Sequence, residues 1–72
     1  MPRMPALTPQ ELGKILEARG WELDRIKGSH HIYYHSQTGQ RVVVPFHKRD
    51  LPRGTQRAIL RQAGIDPDDL SD

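Results

Sequence analysis

The chain has 72 residues, with eleven Lys or Arg, nine Asp or Glu and four His, and its net charge is +2 when the histidines are neutral. This length suits a single domain with a small core, which we assign to residues 1–72. Cysteine is absent, which excludes disulfides and thiolate metal sites, and no apolar run approaches the ~18 residues of a membrane span, so we expect a cytoplasmic protein without a membrane partner.

The charge is unevenly distributed along the sequence. Residues 66–72 hold four of the nine acidic residues, whereas residues 1–65 hold all eleven basic residues against five acidic ones, a net charge of +6. A basic body with a short acidic tail suggests a polyanionic partner such as nucleic acid. An ordinary solvated surface explains the same composition, so charge alone leaves both interpretations open.

The first predicted element is a helix over about residues 9–19, after a loose leader at residues 1–7. The stretch "TPQE" at residues 8–11 is typical of a capping box with proline at the first helical position. Gly20 is expected to end the helix, because glycine tolerates a left-handed C-cap. Apolar side chains repeat at helical spacing: Leu12, Ile15 and Leu16.

Three strands follow, joined by short turns. "WELDRIK" at residues 21–27 alternates apolar and polar residues until the parity breaks, which predicts a bulge or strand end near Arg25. "SHHIYYH" at residues 29–35 and "QRVVVPF" at residues 40–46 are the second and third strands, and Pro45 ends the third or places it at an edge. Consecutive strands with short connections predict an antiparallel meander.

The last predicted element is a helix that ends at Gly64, with Asp50 as its N-cap and Pro52 in its first turn. The order α-β-β-β-α predicts an α+β fold with a three-stranded antiparallel sheet and both helices on one face. Residues 66–72 are a polar tail. The helix is expected to bury one mostly apolar face: Leu51, Thr55, Ala58, Ile59 and Gln62.

Three of the four histidines lie within six positions of the predicted hairpin. Successive side chains of a strand point to opposite faces, so the even-numbered residues of 30–35 share one face and the odd-numbered residues share the other. Ile32 suggests that the even-numbered set faces the helices, although Tyr33 fits a packed position equally well. The sequence therefore does not decide which of the two faces each histidine of this strand occupies: His30, His31 and His35.

The histidine spacing does not suit a metal site. Zinc requires three or four ligands that converge on one point, whereas His31 and His35 are separated by roughly 13 Å at ~3.3 Å per residue. His30 and His31 point apart, and His47 lies beyond the third strand. We predict no metal and no other cofactor.

An imidazole beside a glycine turn on a basic surface fits a ribonuclease that needs no metal. Histidine exchanges protons near neutral pH, so it can take the proton of an RNA 2′-hydroxyl or supply one to the leaving 5′-oxygen. Exposed polar residues of an edge hairpin would give the same pattern, so the residues alone do not decide. Cations would stabilise charge on the phosphoryl oxygens, and the candidates are Lys27, Arg41, Lys48 and Arg49.

Basic residues also cluster before the second helix: His47, Lys48, Arg49 and Arg53. Backbone N–H groups and the positive end of the dipole make a helix N-terminus suited to phosphate. A solvated loop would look the same, but together with the basic hairpin this cluster favours a nucleic-acid partner.

The sequence resembles the HicA family of small mRNA-interferase toxins over about residues 8–65. The motifs that carry the resemblance are "GWEL", "KGSHHIYYH", "VVVP" and "DLPRGTQRAILRQAGI", in this order and at the family's usual spacings. The resemblance implies a double-stranded-RNA-binding-domain-like fold, cleavage of mRNA and neutralisation by a HicB-like antitoxin protein.

The resemblance also implies a set of site residues. The family's catalytic histidine follows a Gly-Ser turn, so His30 is the first candidate, and His31 is the second because some members carry their only histidine one position later. The segment "VVVPFHKRD" departs from the commoner form of the family, which has His-Pro at positions 46–47. The expected RNA-binding residues are Lys27, Gly28, Ser29, Arg41, His47, Lys48 and Arg49.

Two interpretations from other functional classes stay open. A non-catalytic RNA-binding module would share the fold and the basic surface, and the helices carry basic residues that double-stranded RNA could contact. A protein adaptor would instead use the basic face to dock an acidic partner. The helical residues that double-stranded RNA could contact are Lys14, Arg19, Arg53, Arg57 and Arg61.

Overall fold

The structure, a computed structural model, describes residues 6–66. The predicted α-β-β-β-α order and the α+β class are confirmed. The predicted leader up to residue 5 and the tail beyond residue 66 lie outside the described residues. The elements are α1 (Pro9–Ala18), β1 (Trp21–Lys27), β2 (His30–His35), β3 (Gln40–Pro45) and α2 (Arg53–Gln62).

Helix α1 begins at the predicted capping box. The Glu11 amide donates to Thr8 Oγ1 at 3.1 Å, and the Thr8 amide donates to Glu11 Oε1 at 2.9 Å. Two amides that the helix cannot satisfy internally are thereby paired. The backbone and side-chain hydrogen bonds from Thr8 hold the pKa of the Glu11 carboxyl below its ordinary value. The chain leaves the helix through Gly20, whose φ of 93° confirms the predicted left-handed turn.

The strands form the predicted antiparallel meander, in the order β1-β2-β3. Leu23 pairs with Tyr33 and Arg25 pairs with Ile32, so Asp24 is an extra residue in β1. This bulge confirms the predicted irregularity near Arg25 and keeps the apolar residues on both sides of it on one face. Strand β2 lies in the centre and is held by hydrogen bonds along both edges.

The face that the helices cover is set by Tyr33, which decides the parity that the sequence left open between Ile32 and Tyr33. Tyr33 is buried together with Val42 and Val44, whereas Ile32 is only half-buried. The Tyr33 ring fits against α1 because Gly13 has no side chain there, and a Cβ on Gly13 would overlap the Tyr33 hydroxyl. Odd-numbered residues of β2 therefore point to the helices, on what we call the inner face, and even-numbered residues point to the outer face.

Helix α2 begins later than the sequence predicts. Its N-cap is Pro52 and no side chain caps it, so the assignment of Asp50 as N-cap is wrong. The reason is tertiary: the preceding loop carries Leu51 into the core, where its amide donates to the Leu7 carbonyl at 2.8 Å. The chain becomes helical only after this connection is made.

The predicted buried face of α2 is wrong in part. Leu51 and Ile59 are buried as predicted, whereas Ala58 and Gln62 are exposed. The residues that face the core follow the helical i, i+3, i+4, i+7 spacing one position away from the predicted set: Gln56, Ile59, Leu60 and the partly buried Ala63.

Gln56 explains why α2 buries a face that lies one position away from the predicted one. Its side chain is fully buried, and its Oε1 accepts the Leu7 amide at 2.9 Å. Leu7 itself is buried in the core. The prediction that the leader is loose through residue 7 is therefore wrong at its end. The Leu7 amide donates to Gln56 of α2, and the Leu7 carbonyl accepts from Leu51 of the loop before α2.

The core lies between the inner face and the two helices. It joins both helices, three strands and the segments that flank the helices in one cluster: Leu7, Leu12, Leu16, Trp21, Tyr33, Val42, Val44, Leu51, Ile59, Leu60 and Ile65. Within residues 6–66, neither helix has the length and apolar character needed to cross a membrane.

Candidate active site at the Gly28 end of the sheet

One end of the sheet gathers most of the predicted site residues. The turn from β1 to β2 is made by Gly28, with a φ of 58°, and Ser29. This turn lies beside the end of β3, because His30 pairs with Pro45 and the Phe46 amide donates to the Ser29 carbonyl at 2.6 Å. We call this region the Gly28 end.

The basic residues at this end come from two segments. Lys27 is exposed and pairs with His30 across β1 and β2. The loop of residues 47–50 leaves β3 at the same end, and its residues are exposed. Six of the seven predicted RNA-binding residues therefore lie on adjoining segments: Lys27, Gly28, Ser29, His47, Lys48 and Arg49.

Arg41 is the predicted residue that the structure places elsewhere. It lies four positions before Pro45, roughly 13 Å along the strand at ~3.3 Å per residue. Its Nε is 3.7 Å from Asp24 Oδ2, and its guanidinium carbon lies 4.7 Å from the centre of the Tyr34 ring. Arg41 therefore belongs to a charged cluster on the outer face at the other end of the sheet.

His30 and His31 have different surroundings although they are neighbours. His30 is exposed on the outer face beside Lys27 and Pro45. His31 is half-buried on the inner face, where its imidazole stacks on the Phe46 ring with centroids 3.5 Å apart and planes 11° apart.

The inner face is open around His31. Ile26 pairs directly with His31, so both side chains lie on that face, and yet Ile26 is 55% exposed. Leu23, which pairs with Tyr33, is 43% exposed as well, whereas Val44, which pairs with His31 from the other side, is fully buried. The helices therefore cover the β3 side of the inner face and leave its β1 edge, next to His31, accessible. A ligand that approaches this end from the inner side meets the imidazole of His31.

His35, the third histidine of β2, has a structural role. Its Nδ1 accepts the Gln37 amide at 3.3 Å, so the ring proton is on Nε2, which lies 3.2 Å from the Arg19 carbonyl and donates to it. The ring also packs edge-on against Trp21, with centroids 5.1 Å apart. His35 thus joins the end of α1 to the β2–β3 hairpin.

Tyr33 is the other titratable side chain of the inner face. Burial, followed by the nearby charge of Glu17, raises the pKa of its phenol above the ordinary value of 10.0. The hydroxyl therefore stays protonated near neutral pH and cannot act as a base. Its position below α1 makes it a packing residue.

Phe46 is a residue of this end that the sequence pattern does not single out. The available signal was an aromatic residue inside the otherwise polar and basic stretch "PFHKRD". Such a residue is expected to pack rather than to be solvated, and Phe46 does pack against the core. Its contact with His31 depends on the pairing of β2 with β3, which the sequence does not specify residue by residue.

Within residues 6–66, no three His, Asp or Glu side chains come together as ligands for a metal ion. The histidines of β2 are divided between two faces, as the alternation of a strand requires. The described site consists of imidazoles, cationic side chains and backbone groups.

A family model described as the HicA toxin of bacterial toxin–antitoxin matches residues 9–65 of the chain. The match covers every helix and strand of the structure. A comparison with curated proteins finds no match.

Proposed function

Since the chain belongs to the HicA family of toxins from bacterial toxin–antitoxin systems, we propose that its toxic activity is metal-independent endoribonucleolytic cleavage of mRNA in the cytoplasm. The observation that carries the proposal is the grouping of two histidines and several cations at the Gly28 end. His30 and His31 are the candidate proton-transfer residues.

The proposed reaction uses the 2′-hydroxyl of the RNA as the nucleophile. An imidazole removes the proton of this hydroxyl, and the oxygen attacks the adjacent phosphorus. A bond forms between the 2′-oxygen and phosphorus, and the bond between phosphorus and the 5′-oxygen breaks. The products are a 2′,3′-cyclic phosphate and a 5′-hydroxyl that has received a proton from a second acid or from water.

Cations at the same end support this chemistry. Lys27 lies beside His30, and Lys48 and Arg49 are exposed in the loop that follows Phe46. They would hold the phosphates on both sides of the cleaved bond and stabilise the charge that develops on the phosphoryl oxygens.

The test is cleavage of a labelled mRNA by purified protein in the presence of EDTA. We expect His30→Gln or His31→Gln to abolish cleavage, because glutamine keeps polarity but cannot exchange a proton. His35→Gln is the matched control from the same strand. It should lower thermal stability through the lost bridge to Arg19 while the folded protein still cleaves RNA.

Two outcomes would contradict the proposal. If both single variants cleave as fast as the unchanged protein, histidine catalysis at this end is wrong. If the unchanged protein retards RNA in a gel without cutting it, the chain is a non-catalytic RNA-binding module of double-stranded-RNA type.

We also propose that a HicB-like antitoxin neutralises the protein by covering the Gly28 end with acidic side chains, which would face Lys27 and Lys48. The family membership implies an antitoxin, and the charge of this end supports an acidic contact surface. Addition of the antitoxin should stop cleavage, and Lys27→Glu should weaken the complex more than Arg57→Glu, which changes an exposed arginine of α2.

A further inference from the structure

We propose that Phe46 is a positioning residue that holds the imidazole of His31 for proton transfer, and that His31 rather than His30 is the base. This inference rests on the proposed ribonuclease function. It is carried by the parallel stack of the two rings, whose centroids are 3.5 Å apart and whose planes differ by 11°.

Phe46 is itself fixed at both ends. Its amide donates to the Ser29 carbonyl at 2.6 Å, which joins it to the turn that precedes the histidines. Its ring packs against the core and reaches α1, where its Cζ lies 3.8 Å from the position that a Cβ on Gly13 would occupy. The surface on which His31 lies is therefore anchored to both the sheet and a helix.

Stacking on Phe46 restricts the rotation of the His31 imidazole about its side-chain torsion. The torsion that turns an imidazole is broad in an unrestrained histidine. A ring stacked face to face keeps its plane, and its nitrogens remain in that plane, away from the stacked surface. The lone pair of His31 can then point at a 2′-hydroxyl without first losing rotational freedom.

His30 has no comparable support. In the described part of the chain its side chain makes no hydrogen bond, ion pair or ring contact, and it is exposed on the outer face. The loop that carries Lys48 and Arg49 starts at Phe46, the residue on which His31 stacks, and ends at the buried Leu51. The positioned imidazole therefore lies next to the start of the basic loop, whereas Lys27 pairs with His30 on the outer face.

The test compares Phe46→Leu with Phe46→Tyr. Leucine keeps an apolar side chain but loses the stacking surface, and tyrosine keeps the ring. Under single-turnover conditions with saturating RNA, we expect Phe46→Leu to slow cleavage about tenfold to a hundredfold while the RNA dissociation constant stays unchanged, and Phe46→Tyr to restore the rate.

A spectroscopic readout separates positioning from general loss of structure. The ring current of Phe46 should displace the carbon-bound proton signals of His31 in the NMR spectrum, and this displacement should disappear in Phe46→Leu and persist in Phe46→Tyr. Ile59→Val, a mild change in the buried face of α2, is the control. It should lower the melting temperature while leaving the His31 signals and the cleavage rate unchanged.

The failures of this inference and of the proposed function can be told apart. If the unchanged protein cleaves RNA and Phe46→Leu cleaves equally fast, the positioning role is wrong and the function stands. If His30→Gln is inactive and His31→Gln is active, the assignment of the base is wrong. If the unchanged protein does not cleave RNA, both proposals are overturned.

Discussion

At the level of single residues, the three histidines of β2 show how strand parity assigns roles. His35 is held by two hydrogen bonds, His31 stacks on Phe46, and His30 is exposed to solvent. The sequence predicts that they alternate between faces. It does not predict which face is covered, because Tyr33 and Ile32 are both plausible core residues and the choice depends on the space that Gly13 leaves in α1.

The contact between Gly13 and Tyr33 leads to a prediction about stability. Alanine is normally favoured over glycine within a helix by about 1 kcal/mol. At Gly13 the added Cβ would overlap the Tyr33 hydroxyl, and overpacking costs about 1–3 kcal/mol. We expect Gly13→Ala to lower the free energy of unfolding by about 1 kcal/mol, measured by urea denaturation.

Two variants control for this interpretation. Gly54→Ala changes a helical glycine of α2 whose added Cβ would contact nothing within 4 Å, so it should not destabilise the protein. Tyr33→Phe removes the hydroxyl and should reduce the penalty when combined with Gly13→Ala. An unfolding free energy of Gly13→Ala above that of the unchanged protein would disprove the steric explanation.

At the level of elements, the two helices begin in different ways. Helix α1 begins at a capping box, which is local in sequence and was correctly predicted. Helix α2 begins after Pro52 without a side-chain cap, and its buried face contains Gln56. These features of α2 depend on the hydrogen bonds of Leu7 with Gln56 and Leu51, which join distant parts of the chain. Local patterns cannot reveal such contacts.

The capping box predicts a defined effect of mutation and of pH. Thr8→Ala should lower the free energy of unfolding by about 1 kcal/mol, since it removes the acceptor for the Glu11 amide. The pKa of Glu11 is lowered in the folded state from its ordinary value of 4.5 by the hydrogen bonds of Thr8. Its ionised form therefore contributes stability that is present above pH 4.5 and is lost as the pH falls through the lower, folded-state pKa.

The variant Glu11→Gln isolates this effect, because glutamine accepts the same hydrogen bond but does not titrate. In urea denaturation at several pH values, the stability difference between the unchanged protein and Glu11→Gln should shrink as the pH falls below 4.5. A difference that stays constant through this range would show that the charge of Glu11 is not coupled to folding.

At the level of the whole molecule, the meander determines which predicted site residues meet. Because β1 and β2 are joined at Gly28 and β3 runs back to the same end, Lys27 and the loop of residues 47–50 become neighbours. The order of elements, readable from the sequence, was enough to predict this grouping. The same order puts Arg41, near the start of β3, at the opposite end of the sheet, so its distance from the Gly28 end also follows from the meander.

This arrangement predicts how salt affects RNA binding, measured with RNA whose 2′-hydroxyls are methylated so that it cannot be cleaved. Each phosphate contact to single-stranded RNA contributes a slope of about −0.7 to the dependence of log affinity on log salt concentration. Lys27→Gln and Lys48→Gln should each make this slope shallower by about 0.7. Arg41→Gln, the matched control, should leave the slope unchanged, because Arg41 faces Asp24 at the other end of the sheet. If Arg41→Gln changes the slope as much as Lys27→Gln does, RNA contacts the outer face along its whole length, and the Gly28 end is not a separate binding site.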